Sequence, residues 1–336
     1  MFTFANNANC THAQYSVRKY KHMKFLFIII LAFAFNAALG QTNLISFSGH
    51  STAEGLNQPI RSTQDQGVNG IEVSYHFDAA VQTELINKSE VFQQLSIKDF
   101  SHIQEVGRPA MPAHIDLVAI PEGADYELVI SHDVALVRSG FQIYPALQPA
   151  RDTEGAPEPE FEIDRDFYKT NALYPSEPVT IKGIIKIRGL RYAMVQISPI
   201  QYNPSTGQIF MHENLNFELR FSGANRFIDC SQHSKHALSV LSNFPINGQS
   251  IKKEEQKYFI NNALPLTTGN SKNYIIITHA NFLAAADSLA KWKRQMGYTV
   301  EVVSQSSWTT AQVRNAVHSR YANWTPKPDY MVIIGD

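Results

Sequence analysis

Cysteine is scarce in this sequence, which has only Cys10 and Cys230 among its 336 residues. Two distant thiols cannot build the disulfide framework of a small secreted scaffold, and neither lies in a CxxC or Cys/His spacing typical of a metal site. Cys230 is followed by His233, but the pair lies in a polar stretch outside any predicted strand. We therefore interpret Cys230 as an inert thiol rather than a nucleophile.

Several motifs with known chemistry are also missing. The sequence has no HExxH, GxSxG, P-loop or GxGxxG motif, so the common signatures of zinc proteases, serine hydrolases and nucleotide-binding folds are excluded. It has no basic patches interleaved with aromatic residues, so we expect no nucleic-acid partner. Whether the protein binds a metal stays open at this stage.

Excess charge of one sign is absent from the whole chain, whose formal net charge is −1. The charge is unevenly distributed, however, because residues 41–225 carry a net −10 and residues 226–336 a net +5. An acidic segment followed by a basic one is compatible with two domains that dock on each other, and equally with two unrelated solvated surfaces.

The sequence has no apolar run long enough to cross a membrane, and its longest belongs to an export signal. Residues 1–22 are polar and are interpreted as an over-extended start. Residues 23–40 have the form of a secretory signal peptide, with an 11-residue apolar run and a cleavage site between Gly40 and Gln41. A spanning helix needs about 20 apolar residues, so we expect no membrane span and a secreted or cell-surface location.

The middle of the chain has the pattern of a β-rich domain. Residues 41–69 are rich in Ser, Thr, Asn and Gly and predict a loosely ordered leader. Alternation of apolar and polar residues begins at Gly70, and further strands are predicted at 91–97, 115–120, 126–131, 181–188, 191–197 and 215–221. Many short strands separated by turns predict an all-β antiparallel sandwich or barrel over residues 70–225.

The last part of the chain changes to a β-α-β-α-β pattern. Residues 226–268 are polar with weak periodicity and predict a linker. Residues 269–336 contain strands at 274–278, 298–303 and 330–334 with helices between them, and such crossovers predict a parallel sheet. The first helix is expected to be capped by Asn281 and to bury one apolar stripe, formed by Phe282, Ala285, Leu289, Trp292 and Met296.

Chemistry in parallel sheets takes place beyond the carboxyl ends of the strands. His279 ends the first strand and Asp336 follows the third, so both are candidate residues at an active-site edge. Three strands with two helices cannot cover both faces of such a sheet. We therefore expect an exposed apolar face and interpret residues 269–336 as the truncated opening of a larger domain.

Two sets of residues resemble the gingipain-type cysteine peptidases. In residues 269–336 the resemblance rests on Trp292, Lys293, Gln295, Gly297, Tyr330, Gly335 and Asp336. Over about residues 105–225 the order and spacing of four elements are similar to the propeptide of that family: GRPAMP at 107–112, IPEGA at 120–124, YKTNALY at 168–174 and QYNP at 201–204.

The resemblance implies a multidomain precursor in which an all-β propeptide precedes a three-layer, caspase-like α/β domain. The implied activity is that of a cysteine-type endopeptidase, which attacks peptide bonds of protein or peptide substrates with a thiolate. The family's catalytic His and Cys lie in G-H-G and A-C turns, and neither turn occurs here. No catalytic residue is therefore assigned, and this chain alone is expected to be inactive. The resemblance implies that no cofactor is required, and it leaves open whether a structural calcium ion is bound.

The resemblance also implies an intramolecular contact, in which the propeptide lays a loop across the catalytic cleft and a basic side chain mimics the specificity residue. Arg138 and Arg151 lie beside and within a proline-containing loop at 140–159 and are the candidates for that role. The alternative is a secreted β-domain that inhibits peptidases or binds surfaces and carries a degenerate α/β tail.

Overall fold

The computed structural model describes residues 42–49, 58–150, 153, 157, 159–262 and 272–335. The predicted cleavage site at Gly40 and Gln41, the candidate Arg151 and the candidate Asp336 lie outside these residues. Within the described part, an antiparallel β module is followed by two short helices and then by a parallel α/β module.

The β module contains fourteen strands among the described residues, arranged in four antiparallel sheets of order β2-β3-β14-β8, β10-β11-β7-β6, β1-β4-β5 and β12-β13-β9. The strands are β1 Thr42–Ser46, β2 Ile60–Asp65, β3 Gly70–His76, β4 Ala79–Asn87, β5 Glu90–Ser96, β6 Ser101–His102, β7 Pro112–Ile120, β8 Asp125–His132, β9 Leu136–Ser139, β10 Val179–Ile187, β11 Leu190–Ile197, β12 Ile200–Asn203, β13 Gln208–Met211 and β14 Asn214–Ser222. All seven strands predicted from the sequence are present, so the predicted antiparallel β architecture is confirmed.

The core of the β module follows from the alternating pattern of β3 and β14. Their register places Ile71 opposite Leu219 and Val73 opposite Phe217, and all four side chains are buried. Burying one such side chain contributes about 1.5–3 kcal/mol to folding. The same core includes buried residues of β7 and β11, so the two four-stranded sheets share one hydrophobic cluster.

The predicted loose leader at 41–69 is wrong for its described residues, which contain β1 and β2. Strand β1 pairs with β4, and β2 pairs with β3 at the edge of a sheet. Residues Ile60 to Gln64 of β2 are exposed. Such a strand is held by backbone hydrogen bonds rather than by a buried side-chain face, and therefore leaves no hydrophobic pattern in the sequence.

The predicted linker at 226–268 is likewise wrong for its described part, which forms helices α1 Lys235–Leu241 and α2 Gly248–Asn261. The Ser234 hydroxyl caps α1 by accepting the Ala237 backbone N–H at 3.0 Å. The buried side chains of these helices pack on residues of β7 and β11, in a second cluster that contains Ala119, Leu190, Tyr192, Leu238, Leu241 and Ile251. Their partners lie about 50 to 130 positions away in sequence, which is why local periodicity did not reveal them.

The parallel module has the predicted β-α-β-α-β order. Its elements are β15 Lys272–His279, α3 Leu283–Gln295, β16 Tyr298–Gln305, α4 Thr310–Asn323 and β17 Tyr330–Ile334. Strand β15 is central and pairs in parallel with β16 on one side and β17 on the other. Tyr274 to Thr278 are buried, as expected of a strand covered on both faces.

Helix α3 buries a different face from the predicted stripe. Ala286 and Ala290 are buried against Tyr274, Ile276 and Val300, because alanines let the helix approach the sheet closely. Of the predicted stripe, three large side chains are 47 to 55% exposed: Phe282, Trp292 and Met296. Asn281 does not cap the helix either: α3 has no side-chain cap, and the preceding 3-10 turn is capped by His279.

The predicted exposed apolar face is present on β17. Met331 and Ile333 point to the same side of this edge strand and are 46% and 54% exposed. The neighbouring central strand keeps Ile275 and Ile277 buried. The covering of the sheet is therefore complete over β15 and incomplete over β17.

Asn247 connects the helical segment to the β module and offers a test of this arrangement. Its fully buried side chain accepts the Ala119 N–H at 2.8 Å and donates to the Ala119 carbonyl at 2.9 Å. Asn247→Ala leaves two buried backbone groups unpaired, and each costs about 1–3 kcal/mol. We expect the free energy of unfolding to fall by about 2–5 kcal/mol in urea titrations. The control Asn261→Ala, at the exposed end of α2, should stay within about 0.5 kcal/mol of wild type; equal losses in both variants would contradict the assigned packing.

Candidate functional site

The carboxyl edge of the parallel sheet contains a cavity of about 310 Å³. Strand β15 reaches this edge at His279 and strand β17 at Gly335, and α4 begins beside them. The lining is mostly apolar, with Ile277, Trp308, Val313 and Ile333 among its residues. A cavity at the strand ends is the expected place for a binding or catalytic site in an α/β fold.

His279 lies at this edge, as the sequence predicted, and both of its ring nitrogens are engaged. Nδ1 accepts the Asn281 backbone N–H at 3.1 Å, and Nε2 lies 2.6 Å from the Ser306 carbonyl oxygen. These two contacts are satisfied together by a neutral ring that carries its proton on Nε2. His279 thus joins the loop after β15 to the loop after β16, and a role in chemistry stays a prediction.

Trp308 is the residue of this edge that the sequence analysis missed. Its indole N–H donates to the Thr278 carbonyl at 2.8 Å, and the next residue, Thr309, starts a capping box with Gln312 at the beginning of α4. The ring thereby closes one side of the cavity. A Thr-x-x-Gln capping box signals the start of a helix in sequence, but the contact of Trp308 with β15 depends on the parallel pairing.

Arg138 lies on strand β9, opposite Ile209 of β13, and not on an extended loop. The side chain is half-buried, its Nη2 lies 3.5 Å from the Ser46 carbonyl, and its Nε has no partner among the described residues. Strand β9 is the edge strand of its sheet. The guanidinium is therefore weakly held at the border of the β module, and its candidate role stays a prediction.

Cys230 is buried within the helical cluster and not at the sheet edge. It is 5% exposed and lies in the 3-10 turn ahead of α1, next to Leu238 and Ile251. Burial raises the pKa of its thiol to about 12, and the nearby Glu254 and Glu255 carboxylates act in the same direction. A thiol with this pKa carries almost no thiolate near neutral pH, which supports its interpretation as inert.

The two modules touch at Arg188 and residues 232–236 on one side and at residues 327–330 on the other. His233 is buried there, and its Nδ1 has no partner among the described residues. Burial, together with the nearby cationic groups of Arg188 and Lys327, lowers the pKa of His233 to about 4. The ring therefore stays neutral in the folded protein over most of the physiological pH range.

The architecture defines a two-module chain, in which a β module is docked on the opening of an α/β domain with a cavity at its strand ends. The family model Propeptide_C25 matches residues 55–253, and the model of peptidase family C25 matches residues 267–336. The first match alone covers more than half of the chain. The chain therefore belongs to the gingipain-type peptidases of family C25, and comprises a propeptide and the start of a catalytic domain, as the sequence motifs predicted.

The curated relatives come from Porphyromonas gingivalis. Lys-gingipain HG66 is 22% identical over 284 residues, which are 79% of this chain and 16% of that protein. Gingipain R1 is 19% identical over 289 residues, which are 85% of this chain and 28% of that protein. The chain thus spans only about a sixth to just over a quarter of the length of these two relatives.

Two solved structures superpose on parts of the chain. One, from work on the zymogenic latency of gingipain K from Porphyromonas gingivalis, has a TM-score of 0.46 and 23% identity, covering 55% of this chain and all of that chain. The other, a complex of the pro- and mature domains of RgpB from the same organism, has a TM-score of 0.49 and 16% identity, covering 57% of this chain and 98% of that chain. The family assignment rests on the sequence matches.

The described residues contain neither a membrane-spanning helix nor a cluster of metal-ligating side chains. None of the helices there is long and apolar enough to cross a membrane. Across the same residues, no group of three or more His, Cys, Asp or Glu side chains has the geometry to hold a metal ion.

The buried thiol predicts slow chemical labelling. In a Cys10→Ser variant, we expect iodoacetamide to modify Cys230 at pH 7.5 at least a hundredfold more slowly in the folded protein than in urea, because both access and thiolate fraction are low. Mass spectrometry at timed quenches measures the rate. Rapid labelling of the folded protein, or thiol-dependent peptide hydrolysis that Cys230→Ala abolishes, would show that the thiol is reactive.

His233 predicts a loss of stability in acid. The folded protein keeps this ring neutral down to about pH 4, whereas the unfolded chain protonates it near pH 6.5. The unfolded state thus binds more protons between these values, and stability falls as the pH drops from 6.5 to 4. Urea titrations at several pH values across that range give the free energy of unfolding as a function of pH. This free energy should change less steeply with pH in His233→Phe than in wild type, whereas His318→Phe, on the exposed face of α4, should keep the wild-type dependence. Equal slopes in all three proteins would contradict the assignment.

Proposed function

We propose that this chain is the N-terminal part of an exported gingipain-like cysteine endopeptidase precursor. The observation that carries the proposal is the order of the two family matches, propeptide first and peptidase second, along one chain. In this proposal residues 23–40 direct export and are removed between Gly40 and Gln41. The β module, extended by helices α1 and α2, acts as the propeptide, and residues 272–335 open a three-layer, caspase-like catalytic domain.

The carboxyl edge of the parallel sheet is the proposed beginning of the catalytic cleft. A cysteine peptidase forms an acyl-enzyme when a thiolate attacks the peptide carbonyl and a histidine protonates the departing amine, and water then releases the acyl group. Neither group is supplied by Cys230, which is buried, or by His279, whose nitrogens both contact backbone. The contribution of this segment is to hold strand ends and the Trp308 side chain in place around the cleft.

The propeptide is proposed to inhibit the mature enzyme through a basic side chain. Arg138 suits this role because it is half-buried at a sheet edge, and its contact with the Ser46 carbonyl is long, at 3.5 Å, so a stronger acceptor can displace that contact. An arginine that forms a bidentate pair with a carboxylate gains far more than such a contact provides. Arg151 remains the second candidate on the grounds of its position in the loop at 140–159.

An inhibition assay tests the propeptide role. The chain from Gln41 to Asp336 should inhibit a gingipain-type peptidase acting on a chromogenic peptide, with inhibition relieved on dilution. Arg138→Ala or Arg151→Ala should raise the inhibition constant at least tenfold if that side chain fills the specificity site, since a charge-assisted pair is worth more than about 1.4 kcal/mol. The control Arg314→Ala, on the exposed face of α4, should leave the constant unchanged.

The results of this assay distinguish the assignment of the inhibitory arginine from the propeptide role itself. If the chain inhibits and neither arginine matters, both assignments of the inhibitory residue are wrong while the propeptide role stands. If the folded chain inhibits no gingipain-type peptidase, the propeptide role fails, and the alternative of a surface-binding β module is favoured.

A further inference from the structure

We propose that Asp329 anchors the propeptide module to the peptidase module, and that this anchor lies at the edge of the parallel sheet opposite the cavity. The proposal uses the names of the two modules from the proposed function, but it stands on contacts between residues 188–236 and residues 327–330. No part of it requires that the chain inhibits an enzyme.

Asp329 is enclosed by groups from the propeptide side. Its carboxylate is 2% exposed, and both of its oxygens lie 2.8 Å from the Ser234 hydroxyl. Arg188, at the turn between β10 and β11, places Nη2 at 3.5 Å from one carboxylate oxygen and donates from Nη1 to the Pro328 carbonyl at 3.0 Å. A buried carboxylate needs such partners, because removing it from water without them is costly.

The Ser234 hydroxyl has the right polarity for this contact. Its oxygen already accepts the Ala237 N–H as the cap of α1, so its single hydrogen is free to be donated to Asp329. The same hydroxyl therefore starts α1 and binds the other module. Because α1 is packed on β11 through Leu238 and Leu241, the position of Ser234 is determined by the propeptide core.

Contacts on either side of Asp329 extend the anchor. The Lys327 N–H donates to the Gln232 carbonyl at 3.1 Å. The Tyr330 ring stacks on His236 with centroids 5.6 Å apart, and its hydroxyl lies 2.6 Å from His236 Nε2. Positions 232, 234 and 236 thus meet positions 327, 329 and 330 in the same order, so the two segments run side by side in the same direction over a short stretch and do not touch at one point only.

The anchor and the cavity lie at opposite ends of the strands. Asp329 and Tyr330 are at the amino end of β17, whereas the cavity begins at its carboxyl end, at Ile333 and Ile334. Four steps along the strand separate Tyr330 from Ile334, which corresponds to about 13 Å. The propeptide can therefore hold the sheet without covering the cavity, and attachment is separable from blocking of the cleft.

Cutting the chain between the modules tests the anchor. A recognition sequence for a specific protease is inserted between residues 262 and 272 of the chain from Gln41 to Asp336, which is then cut and diluted. We expect the wild-type halves to co-elute in size-exclusion chromatography at micromolar concentration. Asp329→Asn and Ser234→Ala should each weaken association at least tenfold, and the double variant should lose little more than either alone, because both remove the same contact. The control Asp287→Asn, on the exposed face of α3, should behave as wild type.

Two results would overturn the proposal: wild-type halves that separate as soon as they are cut, or variants at 234 and 329 that associate as tightly as wild type. Urea unfolding of each uncut variant shows whether a loss of association reflects a loss of folding, and Ser234→Ala alters the propeptide side while leaving the peptidase side intact. Halves that associate through Asp329 but inhibit no gingipain-type peptidase would refute the propeptide role and leave the anchor in place.

Discussion

The packing of helices α1 and α2 on strands β7 and β11 is the constraint on which the rest of the arrangement depends. One side of this segment completes a hydrophobic cluster with Tyr192, whose hydroxyl also donates to the Leu241 carbonyl at 3.0 Å. The other side carries the polar residues that meet the parallel module. If the helices were not fixed by the β module, Ser234 would have no defined position beside Asp329, so the packing within one module determines this contact with the next.

The elements that the sequence revealed are those whose burial is periodic. Alternation of apolar and polar residues predicted β3 and β14, and a continuous apolar run predicted β15, because each of these strands contributes its own side chains to a core. Strand β2 and helix α1 were missed for the opposite reason: β2 is an edge strand with exposed side chains, and α1 buries Leu238 and Leu241 against strands far away in sequence. Local pattern detects an element that buries a regular face, and does not detect one that is held by a distant partner.

The position of the candidate site was predictable from the sequence, but the contacts of its residues were not. Parallel β-α-β order placed His279 at the carboxyl edge, and the structure agrees, but no pattern indicated that its ring would join two loops. The face of α3 was predicted from its large apolar residues, and the structure buries the small Ala286 and Ala290 instead. Helix periodicity identifies more than one stripe when alanines and large side chains both recur, and close approach to a sheet selects the smaller residues.

The distribution of tryptophan has a practical consequence for solution work. The sequence has three tryptophans, Trp292, Trp308 and Trp324, and all of them lie in the α/β module. Tryptophan emission therefore reports on that module alone, whereas tyrosine absorbance reports on both. Trp292 is 55% exposed, while the Trp308 indole is bonded to the Thr278 carbonyl beside the cavity. Tryptophan emission can consequently follow the folding of the α/β module separately from that of the β module, without any label being attached to the protein.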